Sequence, residues 1–223
     1  LQEGIINTGT MYPCSGGFSY RGLHVGCHAH PSPLSLIPAI ATSCNGYFCW
    51  GLYYMIGARQ KYGSVQKAMN TWRDYMVSMG FGYQLGIDLP GEKRGMIPNA
   101  QYYDKAYRRS WNGLTIISIS IGQGEVTATP LQIANLGATI ANRGYFVTPH
   151  VVKEIEGESI DSIYTTRRYT KVDKGHYEEV VQGMRSAVLG GTCRTANIPE
   201  LEICGKTGTA QNHGKDHSAF MGF

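Results

Sequence analysis

The chain carries no apolar run of about 18 residues, the length that crosses a bilayer, and no charged-then-apolar leader at its start. No membrane-spanning or leader segment is therefore readable within these 223 residues. Internal repeats and low-complexity tracts are also missing, which excludes solenoid and linker-type architectures. Charged residues are scarce at 16%, with a net charge of +4 and scattered cations. Arg108-Arg109 and Arg167-Arg168 are isolated pairs that read as solvated surface. Without a basic stripe, no nucleic-acid partner is expected. Gly122-x-Gly124 has no third glycine, because position 127 is threonine, and this excludes a dinucleotide fingerprint.

What is present fits a globular enzyme: 42% of residues are hydrophobic, enough for one or two cores. The most informative stretch is Gly205-Lys206-Thr207-Gly208-Thr209-Ala210, behind a short apolar run. On a strand, Lys206 and Gly208 point to one face and Thr207 and Thr209 to the other. Glycine there lets another backbone or a ligand approach closely. Such an edge suits an extended peptide with a carboxylate held beside it. Ser43-Cys44-Asn45 stands between two mostly apolar, helix-like runs and can aim a hydroxyl and a carboxamide into one cleft.

Coarse patterning places helix over residues 34–61, with the Ser43 turn inside it, and again over 64–79, where Val65, Met69, Trp72 and Met76 recur at helical spacing. Residues 80–111 read as loop-rich and 114–121 as a short apolar run. Thr129, Pro130 and Gln132 announce a capped helix to residue 142, with Leu131, Asn135, Ala138 and Ala141 near one face. Residues 145–155 read as extended and 177–189 as a helix on Val180, Val181, Met184 and Val188. Residues 203–211 read as the motif strand, and 218–223 as the start of its partner.

Ser-x-Asn followed by Lys-Thr-Gly resembles the penicillin-recognising serine enzymes, whose third motif, Ser-x-x-Lys, supplies the nucleophile upstream of Ser-x-Asn. Here the only Ser-x-x-Lys is Ser64-Val65-Gln66-Lys67, which falls after Ser43. Ser64 reads instead as a helix N-cap. Residues 1–6 look like the end of a helix. The expectation is therefore a partial penicillin-binding transpeptidase domain over residues 1–223, beginning after the Ser-x-x-Lys motif and ending inside the C-terminal sheet. Phe81-Gly82-Tyr83-Gln84-Leu85-Gly86-Ile87-Asp88-Leu89-Pro90-Gly91-Glu92 and Ile121-Gly122-Gln123-Gly124-Glu125-Val126-Thr127-Ala128-Thr129-Pro130-Leu131-Gln132 narrow the match. Together with Asp216-His217-Ser218-Ala219-Phe220-Met221-Gly222-Phe223 they are similar to the class B, monofunctional penicillin-binding protein 2 group of D,D-transpeptidases.

The resemblance implies an α+β fold of the β-lactamase/transpeptidase type, a helical subdomain with an incomplete antiparallel sheet. It implies peptidoglycan crosslinking through an acyl-serine, with penicillin as inhibitor, in a longer parent; the 223-residue polypeptide is expected to be inactive because it lacks the nucleophile and its lysine. Ser43 would relay a proton to the leaving D-alanine nitrogen. Asn45 would hydrogen-bond the substrate backbone and the catalytic lysine. Lys206 would supply positive potential and orient Ser43. Thr207 and Thr209, beside Gly208, would bind the terminal carboxylate. A backbone amide near Thr209 would form half of an oxyanion hole, worth about 3 kcal/mol per donor. Implied partners are peptidoglycan stem peptides, β-lactams and a membrane glycosyltransferase, and the implied location is periplasmic, on an inner-membrane-anchored parent. No cofactor is required. An open strand edge beside residues 206–210 would favour self-association. A non-catalytic peptide-binding or partner-binding module and a serine β-lactamase relative remain as alternatives.

Cysteine and histidine crowd the segment before Ser43: Cys14, His24, Cys27, His28, His30 and Cys44. With Ser43 and Asn45 facing the cleft, Cys44 would face back toward that loop. Cys14, Cys27, His28, His30 and Cys44 are candidate ligands of a structural zinc. A Cys14–Cys27 disulfide in an oxidising compartment and unliganded side chains are the other readings. Cys49, Cys193 and Cys204 lie in apolar stretches and are expected to be buried. Tyr47, Phe48, Trp50, Tyr53 and Tyr54 are read as packing rather than as a saccharide surface.

Overall fold

The computed structural model describes residues 1–210 and 214–223. The chain opens in a turn closed by Gly4 N–H on Leu1 O (2.7 Å), not in the expected helix end. A hairpin of β1 (Gly17–Tyr20) and β2 (Leu23–Gly26) follows, an element the sequence pattern did not announce. Its strands are short, and side chains of the helix over Asn45–Gly57 cover them. Phe18 is fully buried and packs edge-on to Trp50, with 4.6 Å between ring centroids.

α1 (Leu36–Ala41) and α2 (Asn45–Gly57) flank the Ser43 turn as expected. A one-turn α3 (Arg59–Tyr62) leads to α4 (Val65–Ser78), where Ser64 is the N-cap and its Oγ accepts from Lys67 N–H at 3.2 Å. The loop-rich region conceals α5 (Ala100–Ala106), capped by Asn99 Oδ1 on Tyr102 N–H at 2.8 Å. Seven residues are too few to show helical periodicity; burial of Tyr103 stabilises the helix instead. The apolar run that follows winds into a 3-10 helix at Ile117–Ile121.

α6 (Pro130–Ala141) begins with the expected Thr129/Gln132 capping box. Its buried face differs from expectation: Gln132, Asn135, Thr139 and Ile140 point inward, and Ala138 is exposed. Gln132 is drawn in because its amide donates to Gly80 O (3.2 Å), Tyr83 O (3.1 Å) and Arg94 O (3.0 Å), satisfying carbonyls of the 80–94 loop. Only Tyr145–Phe146 of the expected extended segment is a strand, β3, paired with β4 (Arg168–Tyr169). α7 (Lys174–Gly190) carries the expected face, with Met184, Ala187 and Val188 buried.

The chain closes with β5 (Gly205–Ala210) antiparallel to β6 (His217–Gly222). Gln211, included in the sequence-based strand, lies outside the described residues. Among the described residues the sheets are three two-stranded antiparallel ladders beside seven helices. One core joins Ile40 of α1, Tyr47 of α2, Ile140 of α6, Met184 of α7 and Cys204 before β5. Each fully buried large side chain contributes about 1.5–3 kcal/mol. This core is what brings β5 against the Ser43 turn. A second, around Leu52, Ile56, Met69, Tyr103 and Ile116, builds the helical side.

Candidate active site

Ser43 stands where α1 ends. Its N–H donates to Ile40 O (3.1 Å) and Cys44 N–H donates to Ala39 O (2.9 Å), the paired bonds of a Schellman ending. That ending needs a left-handed residue, usually glycine; Ser43 fills it with φ 54°. A non-glycine residue there costs about 1–2 kcal/mol, so the hydroxyl is retained against a backbone penalty. The left-handed turn points Ser43 Oγ at β5, where it accepts from Lys206 Nζ at 2.7 Å.

An ammonium can only donate, so Ser43 keeps its own hydroxyl hydrogen for another acceptor. Lys206 Nζ also donates to Thr207 O at 2.9 Å. Burial lowers the Lys206 pKa from the ordinary lysine range, because desolvation disfavours the charged form. Thr207, on the opposite face of β5, donates its hydroxyl to Thr192 Oγ1 (3.0 Å). Thr192 follows α7, and its N–H donates to Ala41 O (3.1 Å), so the ends of α1 and α7 and the motif strand are tied together. At Gly208 an added Cβ would meet no atom within 4 Å, leaving open space beside the strand.

The outward groups of β5 follow from its register. Cys204 and Phe223 exchange both backbone bonds (2.9 and 3.0 Å). Pairs two apart along the ladder, 206–221, 208–219 and 210–217, are bonded in the same way. Gly205, Thr207 and Thr209 therefore turn N–H and C=O to the other edge, where no strand pairs among the described residues. Thr209 O accepts from Gln123 Nε2 at 3.0 Å.

Asn45, first residue of α2, donates its amide to Gly26 O (2.9 Å), pinning the hairpin to the motif. Cys44 is buried and its sulfur caps α2 by accepting from Tyr47 N–H (3.3 Å). It faces the loop as expected. Cys14 Sγ, Cys27 Sγ, His30 and Cys44 Sγ place their donor atoms within 4.8 Å of one another. His28, also a candidate, is outside this group; it is exposed, its ring edge-on to His30 at 5.4 Å. In a regular strand residues two apart would share a face, but 27–30 form no strand, and only His30 of His28-x-His30 turns toward the sulfurs. All six cysteines are free thiols, and Cys49, Cys193 and Cys204 are buried as expected. Tyr47 is buried, Phe48, Trp50 and Tyr53 are half-buried, and Tyr54 is exposed.

Thr192, Gln123 and Arg185, whose guanidinium donates to Ile203 O (3.0 Å), are site-edge residues that motif reading missed. Only Gln123 carried a sequence signal, its place between two glycines.

A left-handed Ser-x-Asn turn joined to the lysine of a Lys-Thr-Gly strand defines a penicillin-recognising architecture. The model of the penicillin binding protein transpeptidase domain matches residues 1–223, and the chain belongs to that family. It is 36% identical over 207 residues to the peptidoglycan D,D-transpeptidase MrdA of Acinetobacter baumannii, covering 83% of this chain and 29% of that protein. Pseudomonas aeruginosa PBP2, solved in complex with WCK 5153, superposes with a TM-score of 0.78 at 28% identity, over 100% of this chain and 49% of that one. A peptidoglycan synthase complex solved for its coordination of polymerization and crosslinking gives 0.74 at 31% identity, over 96% of this chain and 34% of that one. The fold is thus the α+β transpeptidase fold, and the chain is a PBP2-type transpeptidase domain sequence.

Proposed function

We propose that this chain forms the substrate-recognition wall of a peptidoglycan D,D-transpeptidase and that the acyl-accepting serine is supplied from outside these 223 residues. The 2.7 Å bond from Lys206 to Ser43 carries the reading, because it orients a hydroxyl whose proton is free to leave toward the cleft. Ser43 passes that proton to the departing D-alanine nitrogen and regains one from the general-base lysine, which has taken it from the attacking serine; both of those groups come from outside these 223 residues. The outward N–H and C=O of Thr209 receive the stem peptide as an added strand, and the Thr209 hydroxyl, with that of Thr207 turned away from Thr192, takes its carboxylate or that of a β-lactam. Asn45 orders the turn through Gly26 and reaches toward the substrate backbone. Ser64 is read as a helix cap rather than as the nucleophile, since its Oγ accepts from Lys67 N–H at the start of α4.

No helix among the described residues is long and apolar enough to cross a membrane. We place the chain in the periplasmic part of an anchored parent, working beside a glycosyltransferase, in keeping with the synthase complex it resembles. Incubation of the 223-residue polypeptide with a fluorescent penicillin is expected to leave its mass unchanged. A longer polypeptide reaching an upstream Ser-x-x-Lys is expected to label at that serine. Labelling of Ser64 would overturn the assignment. The open β5 edge is also expected to drive self-association, seen as a concentration-dependent rise in mass by light scattering.

The sulfur cluster supports a second reading, a structural zinc on Cys14, Cys27, His30 and Cys44. Tetrahedral zinc with bonds of about 2.3 Å to sulfur needs ligand atoms about 3.8 Å apart, a small contraction from the observed spread. Pro31 O can only accept, so His30 carries its proton on Nδ1 (2.7 Å) and presents Nε2 toward Cys27 Sγ at 3.4 Å. Cys27 Sγ accepts from Asn45 N–H (3.3 Å), so the cluster touches the motif itself. Burial pushes the Cys44 thiol up to about 12, and a bound cation is what would stabilise its thiolate. The ion's contribution is structural, fixing the loop to the Ser43 turn.

A further inference from the structure

Gln123 comes from 86 residues away to reach the strand edge that the proposed function assigns to substrate. Gly122 and Gly124 are both left-handed, with φ 73° and 71°, and Gln123 N–H donates to Ser118 O at 3.1 Å. The loop is held on its far side as well. Glu125 accepts from Tyr103 OH at 3.0 Å, and Met96 and Thr127 exchange backbone bonds of 2.8 and 2.9 Å. This anchored loop carries a primary amide to a carbonyl that faces away from β6.

A carboxamide N–H is chemically the equivalent of a peptide N–H. Thr209 O is the outward acceptor that a peptide strand added to β5 would use. We propose that Gln123 is a displaceable stand-in for the incoming peptide: it satisfies Thr209 O in the free protein and leaves when a ligand N–H takes that carbonyl. This rests on the reading of β5 as the peptide-docking edge. The exchange makes residues 122–124 a gate at one end of the cleft and a specificity device. A ligand that supplies an N–H opposite Thr209 replaces the lost bond, whereas one lacking it could displace Gln123 only by leaving the carbonyl without a donor, so Gln123 stays. Lys206 Nζ on Thr207 O has no such role, since it reaches its neighbour on the same strand.

The test is NMR titration of the 223-residue chain with an N-acylated D-alanyl-D-alanine peptide and with its ester analogue lacking the N–H opposite Thr209. The peptide is expected to shift the Thr207 and Thr209 amides and to move the Gln123 side-chain NH2 signals to solvent-exposed values; the ester is expected to leave those NH2 signals in place. Gln123→Ala removes the competitor and is expected to bind the peptide about threefold to tenfold more tightly, the worth of one exchangeable hydrogen bond. Unchanged affinity in Gln123→Ala, or equal displacement of the NH2 signals by peptide and ester, overturns the gate while β5 shifts still uphold the docking edge. Absence of any β5 shift in both proteins overturns the docking edge and the gate with it.

Discussion

Lys206 Nζ donates to Ser43 Oγ across 2.7 Å, joining residues 163 positions apart. The contact depends on two structural decisions: a left-handed serine at the end of α1, and a core that lays β5 beside that turn.

Comparing Ser43→Gly with Ser43→Ala isolates the backbone cost, since both remove the hydroxyl. Glycine is expected to be the more stable by about 1 kcal/mol, a rise of several degrees in thermal midpoint. In an ordinary helix the order would be reversed. Equal or higher stability of the alanine variant would disprove the left-handed assignment.

Lys206 should titrate below the ordinary lysine range, because burial penalises its ammonium. The unfolded chain holds that proton to the ordinary lysine value of about 10.4. Between the lowered folded pKa and that value the unfolded state binds more protons, so stability rises with pH; below the folded pKa the term is constant. Nitrogen-15 NMR of the lysine Nζ groups reads the titration. Lys206→Met should flatten that part of the pH–stability curve.

Zinc analysis of purified protein is expected to give one ion per chain, lost on His30→Ala or Cys27→Ala and kept on His28→Ala, whose ring lies outside the cluster. Removal by a chelator should lower the thermal midpoint. A ligand at a thousandfold its Kd stabilises by about 4 kcal/mol. Full thiol titration with no metal would remove this reading.

Gly191→Ala should destabilise by about 1–3 kcal/mol, the cost of forcing atoms into a packed contact. A Cβ there would lie 2.1 Å from Ala41 O and 2.8 Å from Ala187 Cα, both backbone atoms that cannot rotate away. Gly51→Ala in α2 is the control: its Cβ meets nothing within 4 Å, and the helix should gain about 0.5–1 kcal/mol. Chemical denaturation of the two variants gives the comparison.

Much of the fold is written in local signals. Ser64 and the Thr129/Gln132 pair mark helix starts because a side-chain oxygen three residues upstream of an N–H caps it wherever the helix sits. α7 is legible because its apolar residues, Val180, Val181, Met184 and Val188, recur over more than two turns. α5 and the β1–β2 hairpin are not, being too short for periodicity and held by Tyr103 in the core and by Phe18 against Trp50. The inward turn of Gln132 defies its polarity because loop carbonyls from 38 to 52 residues away need its donors.

By itself the sequence determined the motifs, their order and the alternation that sends Lys206 and Thr207 to opposite faces of one strand, since these depend only on neighbours along the chain. Tertiary structure alone decided which groups meet: Ser43 with Lys206, Thr207 with Thr192, Gln123 with Thr209, and His30 rather than His28 with the three sulfurs. The first three of those pairings join residues 15 to 163 positions apart and are settled only when the core fixes how the segments pack; the fourth depends on how the loop before α1 folds back on the Ser43 turn.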